Sequence, residues 1–451
     1  MKPLTYRNSA RVNRKALSVL IAFLAVFHAL ASAQRISVEN NLFTVNSNRI
    51  WISGANTPWH RWNEFGHQFD YSWWDGHFRA LRENGVNCTR VWISCSGDNA
   101  SPGISGSGYV SGPTTQFWND ADALFEIARS HEIYLMIALI SFDHSKPGNT
   151  NAGAWQNMYN SADTRASFVT EYAVPFVNRY RDNPYFFAVD VGNELEWAWE
   201  NHGVPVGNVL DLIARVANAV HQHSEVLVCQ GLGAGPKYNS PDYEGNYFTD
   251  EALSARQSGA YVDFYNIHCY DWQIQYFSSP FDRSPSGYGM DEKPGLVGEL
   301  PARGVAGYSP QQCYQRAFEL GWQGIMPWTS NGVDGNGGLD DMGPGSNWFD
   351  DNHPGLVRPA ITSSVPPSRQ RQFRAAVSSR RNGAFMVEFT GGPAGQRKHL
   401  SIYAPDGNIL GVRTTYGDRM VLKRGDFPSS GMYVLRIAQG GLVTCSALGF
   451  R

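Results

Sequence analysis

Along the first three quarters of the chain, short apolar runs alternate with longer stretches in which apolar residues recur every three or four positions. Eight runs stand out, at 50–54, 87–93, 134–140, 186–191, 226–230, 263–268, 295–298 and 324–328. They are apolar at consecutive rather than alternate positions, the pattern of parallel strands buried on both faces. Between them, 73–84, 117–131, 163–181, 206–223 and 309–320 carry helical spacing. Trp74, Phe78 and Leu81 share one face of the first, and Leu124, Phe125 and Ala128 one face of the second. Asp163 and Ser309 are expected as N-caps, with Pro310 at a first helical position that needs no N–H. Eight strand–helix units predict an α/β fold closed as a (β/α)8 TIM barrel. A doubly wound open sheet would place a glycine-rich phosphate turn after its first strand, and none follows here.

The two ends break this rhythm. Residues 36–45 alternate and then meet a turn at Asn46, Ser47 and Asn48, which predicts a short N-terminal β-hairpin. Past Trp328, 329–351 is rich in Gly and Asp, and 363–368 sets two prolines among serines, as linkers do. From 371 the chain reads as short alternating strands at 385–389, 400–403, 409–415, 420–423, 432–437 and 443–448, a small all-β sandwich. The first 33 residues have a basic start, a mostly apolar run over 16–30, and Ala31-Ser32-Ala33. That order is the order of a secretory signal peptide, and the run is shorter than the roughly 20 apolar residues that span a bilayer. The expected organisation is therefore a signal peptide at 1–33, a barrel at 34–352, a linker at 353–370 and the sandwich at 371–451. The protein is expected to be secreted or held at the cell surface, with no integral membrane segment after cleavage.

Charge narrows the partner. Five of the 37 basic residues lie in the first 33, so the remainder carries 32 against 40 acidic ones, a net of −8. A mildly acidic chain has no electrostatic reason to seek nucleic acid or anionic lipid. Its 14 Trp and 21 Tyr, many in polar, Gly-rich stretches, suit stacking on the flat faces of sugars, although core packing accounts for most aromatics. The six cysteines are free to form disulfides after export, but no pairing follows from their positions, and no CxxC suggests zinc.

Two acids sit immediately after strand-like runs: Glu194 in Val191-Gly192-Asn193-Glu194-Leu195, and Glu299 in Leu296-Val297-Gly298-Glu299-Leu300. Side chains converge on a barrel's active site at the C-terminal ends of its strands. The two are 105 positions apart, about three βα units of roughly 35 residues, which would bring strands four and seven to one mouth. Cleaving an acetal needs an acid on the leaving oxygen and a group that captures the oxocarbenium-like carbon, and paired carboxylates do both. Whether configuration is retained depends on their separation, which a sequence does not measure.

These motifs, with Cys88-Thr89-Arg90-Val91-Trp92, Ile267-His268-Cys269-Tyr270 and Ile325-Met326-Pro327-Trp328 at the other strand ends, resemble the clan A β-glycosidases and most closely family 5 glycoside hydrolases, over about 36–352. The resemblance implies retention, with Glu194 as acid/base and Glu299 as nucleophile. It implies Arg90 beside the nucleophile to keep it ionised and Asn193 on the sugar 2-hydroxyl. His268 and Tyr270 become the strand-six pair, with the Tyr270 hydroxyl on the nucleophile, and Trp328 the floor beneath the sugar. One departure is the strand-three end, Ser141-Phe142-Asp143-His144, near which family members often carry another histidine. The acidic stretch 334–341 lacks the closing Glu of a calcium loop and reads as plain loop. No cofactor and no metal are expected.

Trp59, Trp62, Trp155, Trp197, Trp199 and Trp272 fall on loops at the same mouth, some as a cleft floor and others as loop packing, with Trp59, Trp62, Trp197 and Trp272 the expected substrate contacts. An aromatic cleft favours endo attack on a β-linked polysaccharide. Gly54-Ala55-Asn56-Thr57-Pro58-Trp59-His60 resembles the strand-one motif of bacterial family 5 mannanases and endoglucanases, so β-1,4-mannan or glucomannan is favoured over β-1,4-glucan. Glycosyl transfer on the same residues, and a non-catalytic polysaccharide-binding barrel, are the rival readings. A monomer is expected. The segment from Ser430 to Arg436 resembles C-terminal sorting domains, which points to cell-surface or secretion machinery as a partner of the sandwich. A sugar-binding module is the rival, though it would lack tryptophan, the last being Trp348.

Overall fold

Eight parallel strands form one ring: β1 (Ile52–Asn56), β2 (Cys88–Trp92), β3 (Tyr134–Ala138), β4 (Phe186–Asp190), β5 (Leu227–Cys229), β6 (Tyr265–His268), β7 (Gly295–Glu299) and β8 (Gly324–Ile325). The computed structural model describes residues 35–359, apart from 99, 100, 241, 242 and 244, and beyond 373 mainly a set of strands. The expected signal peptide and most of the expected linker lie outside the described residues. Neighbours pair in chain order from β1 to β5 and from β6 through β7 and β8 back to β1. Closure falls to the fifth strand. Leu227–Cys229 pairs with β4, and Gly231–Leu232, one residue on, pairs with β6.

The eight expected runs all contain or border observed strands, because both faces of each are covered and hydrophobicity alone marks them. Of the helices, Val206–His223 and Pro310–Glu319 fall where expected, the latter capped by Ser309 with Pro310 in its first turn. The third differs. Its cap is Ser161, whose hydroxyl accepts the Thr164 N–H, and Asp163 stands inside the first turn instead. That helix also divides into Ala162–Phe168, a π-turn at Val169–Ala173 and Val174–Tyr180. Pro175 explains the widening, since it supplies no N–H and its ring crowds the preceding turn. After β8 the Gly- and Asp-rich stretch forms a helix, Leu339–Asn352, that its composition hid.

The N-terminal hairpin is a three-stranded antiparallel meander, Ser37–Glu39, Leu42–Val45 and Asn48–Arg49. A turn at Asn40 and Asn41, both with positive φ, precedes the expected one at Asn46 and Ser47. Asparagine tolerates the left-handed region better than most residues, which is why the chain turns there. Phe43 of this meander lies edge-on to Phe187 and Phe264, with centroids 5.3 and 5.1 Å away, and these rings join a core with Ile50, Met136, Leu296 and Met326. The ring of strands is thus filled by side chains, so the opposite end is left for chemistry.

Past residue 373 the described strands are all antiparallel: Arg374–Ser379, Phe385–Thr390 and Arg419–Leu422 in one sheet, and Ile409–Thr415, Lys398–Tyr403, Gly431–Gln439 and Leu442–Phe450 in another. Val387, Phe389, Leu400, Ile402, Leu422 and Leu435 form a core. Only the first of these strands was not anticipated.

Phe187 is fully buried among aromatic partners. Phe187→Ala is expected to cost about 3–5 kcal/mol, read as a lower urea midpoint for loss of near-UV circular dichroism.

Candidate active site

Arg90 is the side chain around which the mouth is assembled. It lies in the middle of β2 with no exposed surface, and its guanidinium reaches four neighbours. Nε donates to Asp190 Oδ2 at 2.8 Å, Nη1 to Glu299 Oε1 at 2.6 Å and to Asn56 Oδ1 at 3.1 Å, and Nη2 to Asn193 Oδ1 at 2.9 Å. One planar cation thereby ties together the ends of β1, β4 and β7. Paired by two carboxylates, Arg90 is held firmly charged despite burial. Asn193 is fixed by its oxygen, so its remaining side-chain groups are donors.

Glu194 and Glu299 face one another across His268. Nδ1 of that ring lies 2.8 Å from Glu194 Oε1 and 3.5 Å from Glu299 Oε2, and oxygens of the two carboxyl groups come within 4.8 Å. The other contacts differ. Glu299 has the Arg90 ion pair and the Tyr270 hydroxyl, which donates to Oε2 at 2.8 Å, whereas Glu194 accepts the Trp197 indole N–H at 3.1 Å. Burial pushes Glu194 up to about 7, opposed by Arg90 and the Trp197 bond. Burial raises Glu299 too, opposed by the Arg90 cation and the Tyr270 hydroxyl. A net lowering of Glu299 was the expectation from sequence. Removing the carboxyl from water outweighs the cation. Because Glu299 alone holds the ion pair, it is the carboxyl that ionises first. Burial lowers His268 to about 4, so its ring is neutral where the two acids titrate.

Local backbone serves this placement. Glu194 has a φ of 47°, a left-handed conformation that costs a non-glycine residue about 1–3 kcal/mol. Gly233 lies against it, and a Cβ there would come within 2.7 Å of Glu194 Oε1. Gly298, just before the second acid, leaves room for Asn266, whose Oδ1 would lie 1.7 Å from an added Cβ.

Aromatic rings gather on two sides. After β1, β2 and β8, Trp59 packs at 4.6 Å from Trp62, 5.1 Å from Trp92 and 5.9 Å from Trp328, with Trp62 the exposed member. After β4 and β6, Trp197 and the exposed Trp272 line a cavity of about 710 Å³. The sequence-derived residues Arg90, Asn193, Glu194, His268, Tyr270 and Glu299 thus form one bonded group, and Trp59, Trp62, Trp197, Trp272 and Trp328 all lie around the same mouth. Trp155 does not reach it. That ring is wholly buried and packs edge-on to His144 at 4.6 Å, while Trp199 packs on Tyr238. His144 bonds Ser94 and Ser141 inside the protein, and burial lowers it to about 3.

Three contributors escaped notice in the sequence. Asp190 and Asn56 are the remaining Arg90 partners, and Trp92 lies beneath its guanidinium at 5.7 Å. Asp190 left a signal, an acid ending an otherwise apolar buried strand, which demands an internal cation. Among the described residues Glu194, His268 and Glu299 are also spaced as metal ligands could be. The Arg90 charge on Glu299 opposes a second cation there. Cys88, Cys95, Cys229, Cys269 and Cys313 are buried free thiols.

No family model matches the chain. A mannan endo-1,4-beta-mannosidase from Mytilus edulis is 25% identical over 361 residues, covering 71% of this chain and 95% of that protein. One from Cryptopygus antarcticus is 23% identical over 337 residues, covering 66% and 85%. The solved endo-1,4-beta-mannanase of Eisenia fetida shares the fold with a TM-score of 0.63 at 21% identity, over 70% of this chain and 95% of that one.

A carboxyl raised on folding favours the protonated native state. The contribution of Glu194 is intact below its unfolded value near 4.5 and is lost as pH rises through about 7. Relative to the wild type, Glu194→Gln should therefore gain roughly 3 kcal/mol between pH 4 and pH 8, measured as the difference in unfolding free energy at each pH. A pH-independent difference would contradict the burial argument.

Proposed function

We propose that this chain, a family 5 glycoside hydrolase, cuts the β-1,4-linked backbone of mannan and glucomannan internally and with retention, through a glycosyl ester on Glu299. The observation that carries the reading is the pair of carboxyl groups with oxygens within 4.8 Å on one shared histidine. Direct attack works at about 5–5.5 Å between such groups, whereas an interposed water needs about 6.5–9.5 Å. Glu194, with its titration pushed up to about 7, keeps a proton to give to the leaving oxygen. Glu299, paired with Arg90 and Tyr270, supplies the carboxylate that bonds the anomeric carbon. After the first sugar departs, Glu194 takes a proton from the incoming water and the ester opens with a second inversion. Neutral His268 holds the two acids apart in register, Asn193 donates to the sugar 2-hydroxyl, and Trp328 stacks beneath the ring at the cleavage point. The exposed Trp62 and Trp272 support an open cleft that admits a chain anywhere along its length.

The names of the two curated relatives support mannan over glucan. The apolar segment at 16–30 followed by Ala31-Ser32-Ala33 supports export, and no helix among the described residues is long and apolar enough to cross a membrane. The C-terminal sandwich serves attachment or sorting at the cell surface, and the barrel works as a monomer.

Reducing-sugar release should be greatest from glucomannan and pure mannan and far smaller from carboxymethylcellulose and xylan. The reverse order would make the enzyme a glucanase. Glu299→Ala should lower kcat by at least about a thousandfold, which corresponds to roughly 4 kcal/mol of barrier. The rate should also fall as pH rises through about 7, where Glu194 loses its proton, and fall again in acid as Glu299 gains one. A kcat/KM profile flat from pH 5 to 9 would contradict these roles.

A further inference from the structure

Trp62 stands apart from the rings around it. It is 39% exposed, whereas Trp59, Trp92 and Trp328 are all buried. Its ring meets Trp59 nearly at a right angle, with centroids 4.6 Å apart, and Trp92 more distantly at 6.5 Å. An exposed side chain with so little packed against it is ordinarily free to change rotamer. Here the indole N–H is taken, donating to Ser96 Oγ at 3.1 Å.

Ser96 lies in the loop after β2 and is 1% exposed. Its Oγ also accepts the Asn63 side-chain amide at 2.6 Å, and it donates to Asp98 Oδ2 at 2.7 Å. A serine hydroxyl has one hydrogen and two lone pairs, so all of its bonding capacity is in use. With the hydrogen committed to a carboxylate, the lone pairs are left to face donors, which are Asn63 and Trp62. Asn63 fastens the same loop a second time, its Oδ1 accepting the Cys95 N–H at 2.9 Å and the Ser96 N–H at 3.0 Å. Its own φ of 54° is in the left-handed region that asparagine tolerates. The loop after β1, which carries Trp62, is thus stitched to the loop after β2 by three polar residues that the mechanism does not use.

Building on the reading of Trp62 as a substrate contact, we propose that Ser96 is a positioning residue whose hydroxyl, aimed by Asp98, holds the Trp62 ring in one orientation as a preformed platform for a sugar beyond the one over Trp328. Ser96 is too deeply buried to touch a sugar and acts wholly through the indole N–H. A ring already held in place loses little freedom when a sugar stacks on it, so more of the contact appears as affinity. A contact remote from the scissile bond stabilises bound substrate and transition state alike. Losing it raises KM and leaves kcat.

Steady-state kinetics on mannohexaose test this. Ser96→Ala removes the acceptor for the indole and should raise KM about fivefold, with kcat within about twofold of the wild type. Trp62→Phe keeps a ring but has no N–H to hold, so adding Ser96→Ala to it should change KM by less than about twofold. A serine that merely braced its loop would act to the same degree in both backgrounds, and equal effects would overturn the proposal. So would Ser96→Ala with KM unmoved, or with a fall in kcat alone. Should Ser96→Ala not fold, Asp98→Ala takes its place, since it removes the acceptor that aims the hydroxyl. Its expected rise in KM, about threefold, should again vanish beside Trp62→Phe. Trp62→Ala separates the two readings. An unchanged KM in that variant would sink Trp62 as a substrate contact and this inference with it. A KM raised at least about tenfold, together with an unmoved Ser96→Ala, would sink this inference alone.

Discussion

A single buried guanidinium holds the catalytic mouth together. Arg90 has no exposed surface, so its charge is tolerable only because Asp190 and Glu299 surround it and Asn56 and Asn193 complete its hydrogen bonds. Those partners come from three strands far apart in sequence, and bonding them to one rigid plane sets the positions of β1, β4 and β7 relative to one another. Asp190 extends the effect by accepting the Gly231 N–H, where the fifth strand changes partners and the ring closes. The group that pairs with Glu299 is thus also a fastening of the barrel, and the mouth and the closure share one network.

From that fastening follows the asymmetry between two identical side chains. Glu299 is buried and Glu194 partly so, and desolvation raises both, yet only Glu299 touches the cation and the Tyr270 hydroxyl, while Glu194 meets a neutral histidine and an indole. One is therefore ready to be ionised while the other still holds a proton, which is the division of labour that acetal cleavage needs. The left-handed backbone at Glu194 and the missing Cβ at Gly233 are the local cost and the local allowance of bringing that second acid so close.

Much of this was legible in the chain, for identifiable reasons. Strands covered on both faces announce themselves as apolar runs, so the barrel could be read, and Glu194 and Glu299 stood out because each ended such a run. The helix Leu339–Asn352 could not be read, since its glycines and aspartates look like loop and its start is set by the Asp341 carboxylate accepting the Gly338 N–H. Asp163 was expected as a cap, whereas Ser161, two residues earlier, accepts the Thr164 N–H and takes that place. Trp155, which was not among the expected substrate contacts, packs the loops, buried on His144. Asp190 was legible but passed over. The net rise at Glu299 was not, because desolvation depends on what covers a carboxyl, and no sequence displays that.

The central claim is that the two carboxyls lie close enough for Glu299 to bond the sugar itself. Its most direct test is the anomeric configuration of the first product, followed by proton NMR during the earliest minutes of mannan-oligosaccharide cleavage, before mutarotation blurs the signal. Two inversions at one carbon should release the β anomer. Release of the α anomer would mean that water attacks in a single step, and would contradict the account.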